Sequence, residues 1–141
     1  MDHIAIVKKS WNVINKILAG QKKIESRWYK VKTAPWNRIK GNDVVYFKNS
    51  GEPVTIKADV EKVLQFEYYN EVQLKEILNK YGSLINFHNS ETAFEWTKDK
   101  RHCILVFLKN PERITPFEID KTGFGNACAW MCVENIEKVK R

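Results

Sequence analysis

The sequence predicts an α+β fold, a small antiparallel or mixed β-barrel with flanking helices, on three observations. Five to seven short β-branched segments are interleaved with two or three helical ones, without the regular β-α-β succession of a parallel sheet. No Pro-, Gly- or Ser-rich linker interrupts the 141 residues, so 1–141 reads as one domain. Hydrophobic residues at 43% are sufficient for a core, which sets disorder aside.

Element by element, His3 to Val7 reads as a strand. A helix follows, capped by Ser10, with Val13, Ile14, Ile17 and Leu18 on one face and Gly20 at its left-handed stop. Lys22 to Lys30 is bulky and extended, and Val31 to Asn42 is a loop around Pro35. The strands Val44 to Lys48 and Val54 to Phe66, joined by an Asn49-Ser50-Gly51-Glu52-Pro53 turn, predict an antiparallel hairpin. Glu71 to Tyr81 has helical spacing and Gly82 reads as its stop, while Ser90 caps a further helix to Lys98. His102 to Leu108 is the most apolar stretch and predicts a central strand, followed by an edge-like segment bracketed by Pro111 and Pro116. Gly123-Phe124-Gly125-Asn126 reads as a loop, Ala129 to Val133 as the last strand, and Ile136 to Lys140 as a terminal helical turn.

The stretch Met1 to Val7 is too short and too acidic for a secretion signal, and no apolar run reaches the roughly 18 residues of a membrane span. Cys103, Cys128 and Cys132 are an odd set without C-x-x-C spacing, the pattern of reduced cytoplasmic thiols. Charge is distributed unevenly. Residues 1 to 40 carry ten Lys or Arg and two acids, 10 − 2 = +8, and the rest of the chain carries 14 − 15 = −1. A cationic segment of this kind is the footprint of a polyanion such as nucleic acid, or else a solvated basic face.

Within that segment, Gly20-Gln21-Lys22-Lys23-Ile24-Glu25-Ser26-Arg27 gathers cations and a carboxylate next to a turn. On an extended strand Lys23, Glu25 and Arg27 share one side, and Lys22 joins them only if it sits at the turn. Arg27 offers a planar fork for a phosphate or base edge, and Lys22 a point charge. Glu25 orients Arg27 or accepts from an exocyclic amine. The competing reading is a surface ion pair that serves only solubility.

The pattern G-x-K-x-x-E-x-R, here Gly20, Lys22, Glu25 and Arg27 directly after a helix, resembles the signature of ASCH domains, within the PUA-like barrel superfamily. The resemblance is strongest from Ser10 to Lys48, including Gly41-Asn42-Asp43-Val44-Val45, and returns at Gly123-Phe124-Gly125 and Ala129-Trp130. It implies a PUA-like barrel with a cleft over the helix-to-strand turn and a role in binding RNA or a modified nucleotide. Some members of the family resemble amidohydrolases acting on an acetylated cytidine, and others ribonucleases. In an enzyme of that kind Lys22 and Glu25 would be the catalytic pair. The amidohydrolase branch carries a reactive Thr two residues after its Lys, whereas here the first hydroxyl is Ser26.

Three of the five tryptophans, Trp11, Trp28 and Trp36, lie in the basic third. Trp36, in the Pro35-Trp36-Asn37 loop, is the expected stacking residue. Trp11 and Trp28 are expected to pack first in the core, and Trp96 and Trp130 to be core or barrel-closing residues. The predicted nucleic-acid site is thus Gly20, Lys22, Lys23, Glu25, Arg27, Trp28, Trp36 and Arg38, with no cofactor and no metal. Cys128 and Cys132, or His102 beside Cys103, lack a fourth ligand, and His3 and His88 have no partner pattern. No Walker loop, G-x-G-x-x-G or G-x-S-x-G is present.

Overall fold

A computed structural model describes residues 1–125 and 127–141, so Asn126 of the predicted glycine loop lies outside the described residues. The strands are β1 (Asp2–Val7), β2 (Ile24–Tyr29), β3 (Val44–Asn49), β4 (Val54–Glu67), β5 (His102–Phe117) and β6 (Trp130–Val133). The helices are α1 (Val13–Leu18), α2 (Glu71–Ile85) and α3 (Ser90–Thr97). The strands form one sheet in the order β2-β5-β4-β3-β1-β6. β1 and β3 run parallel and every other pair is antiparallel, so the sheet is mixed. It curls into a half-barrel flanked by the helices.

β5 shows why its sequence is so apolar. Ile104, Val106 and Leu108 enter the barrel core with Ala5, Phe47, Ile56 and the α1 residues Val13, Ile14 and Ile17. The alternate residues Cys103 and Leu105 enter a second core under α2 and α3, with Ile24, Trp28, Leu74 and Ile77. A strand covered on both faces needs apolar side chains at every position. β5 continues beyond the predicted Leu108, pairing through Pro111 and Pro116 with the start of β4, where β2 no longer reaches. The prolines are tolerated because that half of the strand is an edge.

Three predicted helix boundaries are corrected. Ser10 lies in a short 3-10 turn, Lys9–Trp11, and α1 starts from Asn12 in a left-handed conformation with no side-chain cap. α2 runs through Gly82, which is buried inside it, and ends at Asn86, where φ is 72°. An asparagine tolerates the left-handed stop almost as well as glycine does. α3 is capped by Asn89, whose side chain accepts from the Thr92 N–H at 3.0 Å, not by Ser90. The terminal turn is a 3-10 helix, Ile136–Lys138.

Candidate functional site

Around the helix-to-strand turn the structure opens a cavity of about 870 Å³. Its walls come from the end of β1, the 3-10 turn, α1, β2, the α2–α3 connection, Trp96 of α3 and the residues before β6. Lys22, Glu25 and Arg27 line it together, with side chains 8, 7 and 13% exposed.

Lys22 reaches this position because it precedes β2. Its backbone N–H bonds Lys16 O at 3.1 Å, so the turn after α1 aims the side chain inward. Its Nζ donates to Ile85 O at 2.8 Å and lies 3.5 Å from Glu25 Oε1. Burial lowers the Lys22 pKa from its usual range, against the pull of Glu25, with Arg27 and Lys16 adding repulsion. Lys23, expected on the same side as Glu25 and Arg27 and in the nucleic-acid site, is exposed and does not line the cavity. Its backbone is held on both sides, the N–H by Leu84 O and the carbonyl by the Leu108 N–H, and this turns the side chain outward.

Arg27 has a structural part as well. β2 and β6 are opposite ends of the sheet, and among the described residues no ladder joins β2 to β1 or β6. The Arg27 guanidinium spans this seam, donating to Ala129 O at 3.3 Å and to Ile6 O at 3.4 Å while contacting Glu25 Oε2 at 3.4 Å. It lies 5.0 Å from the ring centre of Trp130. The Trp130 indole N–H donates in turn to His3 Nδ1 at 3.0 Å, and His3 Nε2 lies 2.9 Å from Asp43 Oδ2. A buried relay thus holds the platform beneath Arg27.

Trp28 and Trp130 are buried as expected, whereas Trp11, Trp96 and Trp36 exchange their expected places. Trp11, on the 3-10 turn outside the α1 apolar face, is 55% exposed, and Trp96 is 48% exposed. Both line the cavity. Trp36 does not: it packs partly buried against the barrel core, with its ring 5.3 Å from that of His102. Trp28 lines the cavity from the second core, 5% exposed, its indole N–H bonded to Ser26 Oγ at 2.9 Å. Trp130 is buried, whereas Gly20 sits at the turn with φ of 76° and Arg38 is exposed away from the cavity.

The sequence reading also missed Lys8, Lys16, Asn86 and His88, which line the cavity. Lys16 Nζ lies 3.4 Å from His88 Nε2. Asn86 also carries a buried amide oxygen that meets no hydrogen-bond partner among the described residues. Only the basic bias of the first forty residues hinted at the lysines. Asn86 and His88 lie 59 and 61 positions beyond Arg27, the last residue of the motif (86 − 27 and 88 − 27), and no spacing rule connects them to it. No group of three or more His, Cys, Asp or Glu side chains among the described residues is placed to hold a metal. No helix among them is long and apolar enough to cross a membrane.

The structure is similar to the crystal structure of the ASCH protein of Zymomonas mobilis, with a TM-score of 0.68 and 13% identity over 97% of this chain and 90% of that one. The fold is that of an ASCH domain. A single-substitution variant of the same Zymomonas protein gives a TM-score of 0.69 at 13% identity, covering 97% of this chain and 91% of that one. A crystal structure of a hypothetical protein matches at a TM-score of 0.53 and 22% identity, over 81% of this chain and 100% of that chain. No protein-family model matches the sequence, and no curated protein is similar to it at a significant level. In this ASCH fold, the cavity at the turn after α1 is floored by the motif residues Lys22, Glu25 and Arg27.

Proposed function

We propose that the chain binds single-stranded nucleic acid, RNA in preference to DNA, by drawing one unpaired or modified nucleotide into the cleft. The observation that carries the reading is a floor of two cations and a carboxylate beneath two exposed indoles. Lys22 and Arg27 supply donors to a phosphate or a base edge, and Glu25 supplies an acceptor, so the floor suits a group that presents both. Trp11 and Trp96 offer stacking faces, and Lys8 and Lys16 extend the positive field. RNA comes before DNA on the resemblance of Gly20, Lys22, Glu25 and Arg27 to the ASCH signature.

Binding of a short single-stranded RNA at two ionic strengths tests this. Affinity is expected to fall steeply with salt. Trp11→Ala changes an exposed side chain and is expected to weaken binding by about 1 to 3 kcal/mol. Affinity indifferent to both salt and Trp11→Ala rules the cleft out.

A second reading, hydrolysis of a modified nucleoside or of RNA, is favoured by one observation. Lys22 has a lowered pKa beside Glu25, with the Ser26 hydroxyl in the same cavity. Turnover of an acylated cytidine or a short RNA that Lys22→Ala abolishes supports it, and RNA binding without product excludes it.

A further inference from the structure

On another part of the surface a cluster lines no part of the cleft. Lys32 Nζ lies 5.6 Å from the ring centres of both Trp36 and Tyr68, and 2.6 Å from Glu67 Oε2. Both rings stand edge-on to buried His102, at 5.3 and 4.9 Å. Two π-faces and a carboxylate thus surround one ammonium, over a floor that contributes a third ring. We propose that Trp36, Tyr68 and Glu67 form a receptor for a compact alkylated ammonium group, occupied in this structure by the chain's own Lys32.

The walls are built in advance of any ligand. The Tyr29 hydroxyl donates to Ala34 O at 3.0 Å on one side of Trp36. On the other side Asn37 and Gln65 exchange two bonds, Asn37 N–H to Gln65 Oε1 at 2.7 Å and Gln65 Nε2 to Asn37 Oδ1 at 2.8 Å. A loop tryptophan pinned at both neighbours costs little further ordering when a ligand arrives. Tyr68 stands 66% exposed with φ of 50°, a conformation that asparagine tolerates but an aromatic residue seldom adopts.

Lys32 is a replaceable occupant. Its side chain is 43% exposed and that of Glu67 52%, so their pair is a surface one that contributes little. A methylated ammonium keeps the positive charge and sheds less hydration on entering. It also fills the space between the rings with methyl groups polarised toward the π-faces. Rings meeting at a shared floor suit a compact, rounded cation better than a flat one, which would stack on one face alone.

The test uses choline as the probe and 3,3-dimethylbutanol, its uncharged shape analogue, as the control, with the Trp36 indole N–H followed by NMR. Choline is expected to shift that signal, and the alcohol is expected not to. Lys32→Ala is expected to tighten choline binding by about three- to tenfold, and Tyr68→Ala and Glu67→Gln to weaken it by a similar factor. Both wall variants alter exposed side chains, and unchanged signals from the Trp96 and Trp130 indoles report that the fold is intact. Equal response to the alcohol overturns the proposal, as does indifference of choline binding to all three substitutions. Tighter binding of 7-methylguanosine, a flat cation, also overturns it. RNA binding measured on the same variants separates this site from the cleft, because the outcome at either leaves the other unaffected.

Discussion

His3 is the residue whose chemistry the surroundings specify most tightly. An indole N–H can only donate, so the 3.0 Å bond from Trp130 requires a lone pair on His3 Nδ1, and the ring proton sits on Nε2, facing Asp43. Burial lowers the His3 pKa below its ordinary 6.5, more than Asp43 raises it. The unfolded chain therefore binds more protons than the folded one just below pH 6.5. Stability is full above that pH, falls as the pH drops through that range, and levels off below the folded-state value. Asp43 adds a loss at more acidic pH. Burial alone would raise its pKa, but bonds from His3, the Lys40 N–H at 3.1 Å and the terminal ammonium hold it below the usual carboxylate value. Thermal melts between pH 8 and pH 5 are expected to show a falling midpoint, and His3→Gln is expected to flatten that dependence. A wild-type midpoint constant over this range excludes a neutral buried imidazole.

At the scale of elements, the end of α2 both stops a helix and furnishes the cleft. The Asn86 N–H bonds Ser83 O at 3.2 Å and the Phe87 N–H bonds Gly82 O at 2.9 Å, which closes the last turn in a left-handed cap. Asn86→Gly is expected to keep stability within about 0.5 kcal/mol, since glycine takes this conformation readily, while removing the side chain from the cleft wall. Asn86→Ala loses the same amide and is expected to cost about 1 kcal/mol in addition. Urea unfolding and RNA affinity, measured on both, separate the two effects. At the start of the helix, Asn70 and Gln73 form a reciprocal capping box at 2.8 and 3.0 Å, and Asn70→Ala is expected to cost about 1 kcal/mol in the same unfolding experiment.

These elements also mark what could be read in advance. The α+β class, the β3–β4 hairpin and the apolar β5 follow from alternation, turn residues and apolar runs, all of them local signals. The Lys22, Glu25 and Arg27 floor was legible as a motif, on the condition that Lys22 stood at the turn. Trp11 and Trp36 were not placed correctly, because exposure depends on which neighbours arrive from far along the chain. Trp36 finds His102 beneath it, whereas Trp11 precedes α1 on a turn that no other element covers. α2 continues past Gly82 because the tertiary packing of Ile85 outweighs the helix penalty of glycine, about 1 kcal/mol.

For the whole molecule, the seam between β2 and β1 is the point of greatest leverage. The Arg27 guanidinium joins edges that share no ladder among the described residues, and it balances a carboxylate that is 7% exposed. Arg27→Met keeps much of the length and loses the donors, so two carbonyls and Glu25 lose a partner. The expected cost is about 2 to 4 kcal/mol by chemical denaturation, with faster amide exchange in β6 than in β4. Unchanged stability would mean that the helices alone hold the half-barrel closed.

The seam also fixes when the cleft comes into being. Its motif cations, Lys22 and Arg27, leave the ribosome about a hundred residues before one of the two carbonyls that hold Arg27, that of Ala129, and before the ring beneath it, that of Trp130. Until translation has passed those two codons, the emerging chain displays its positive charge without a finished pocket to direct it.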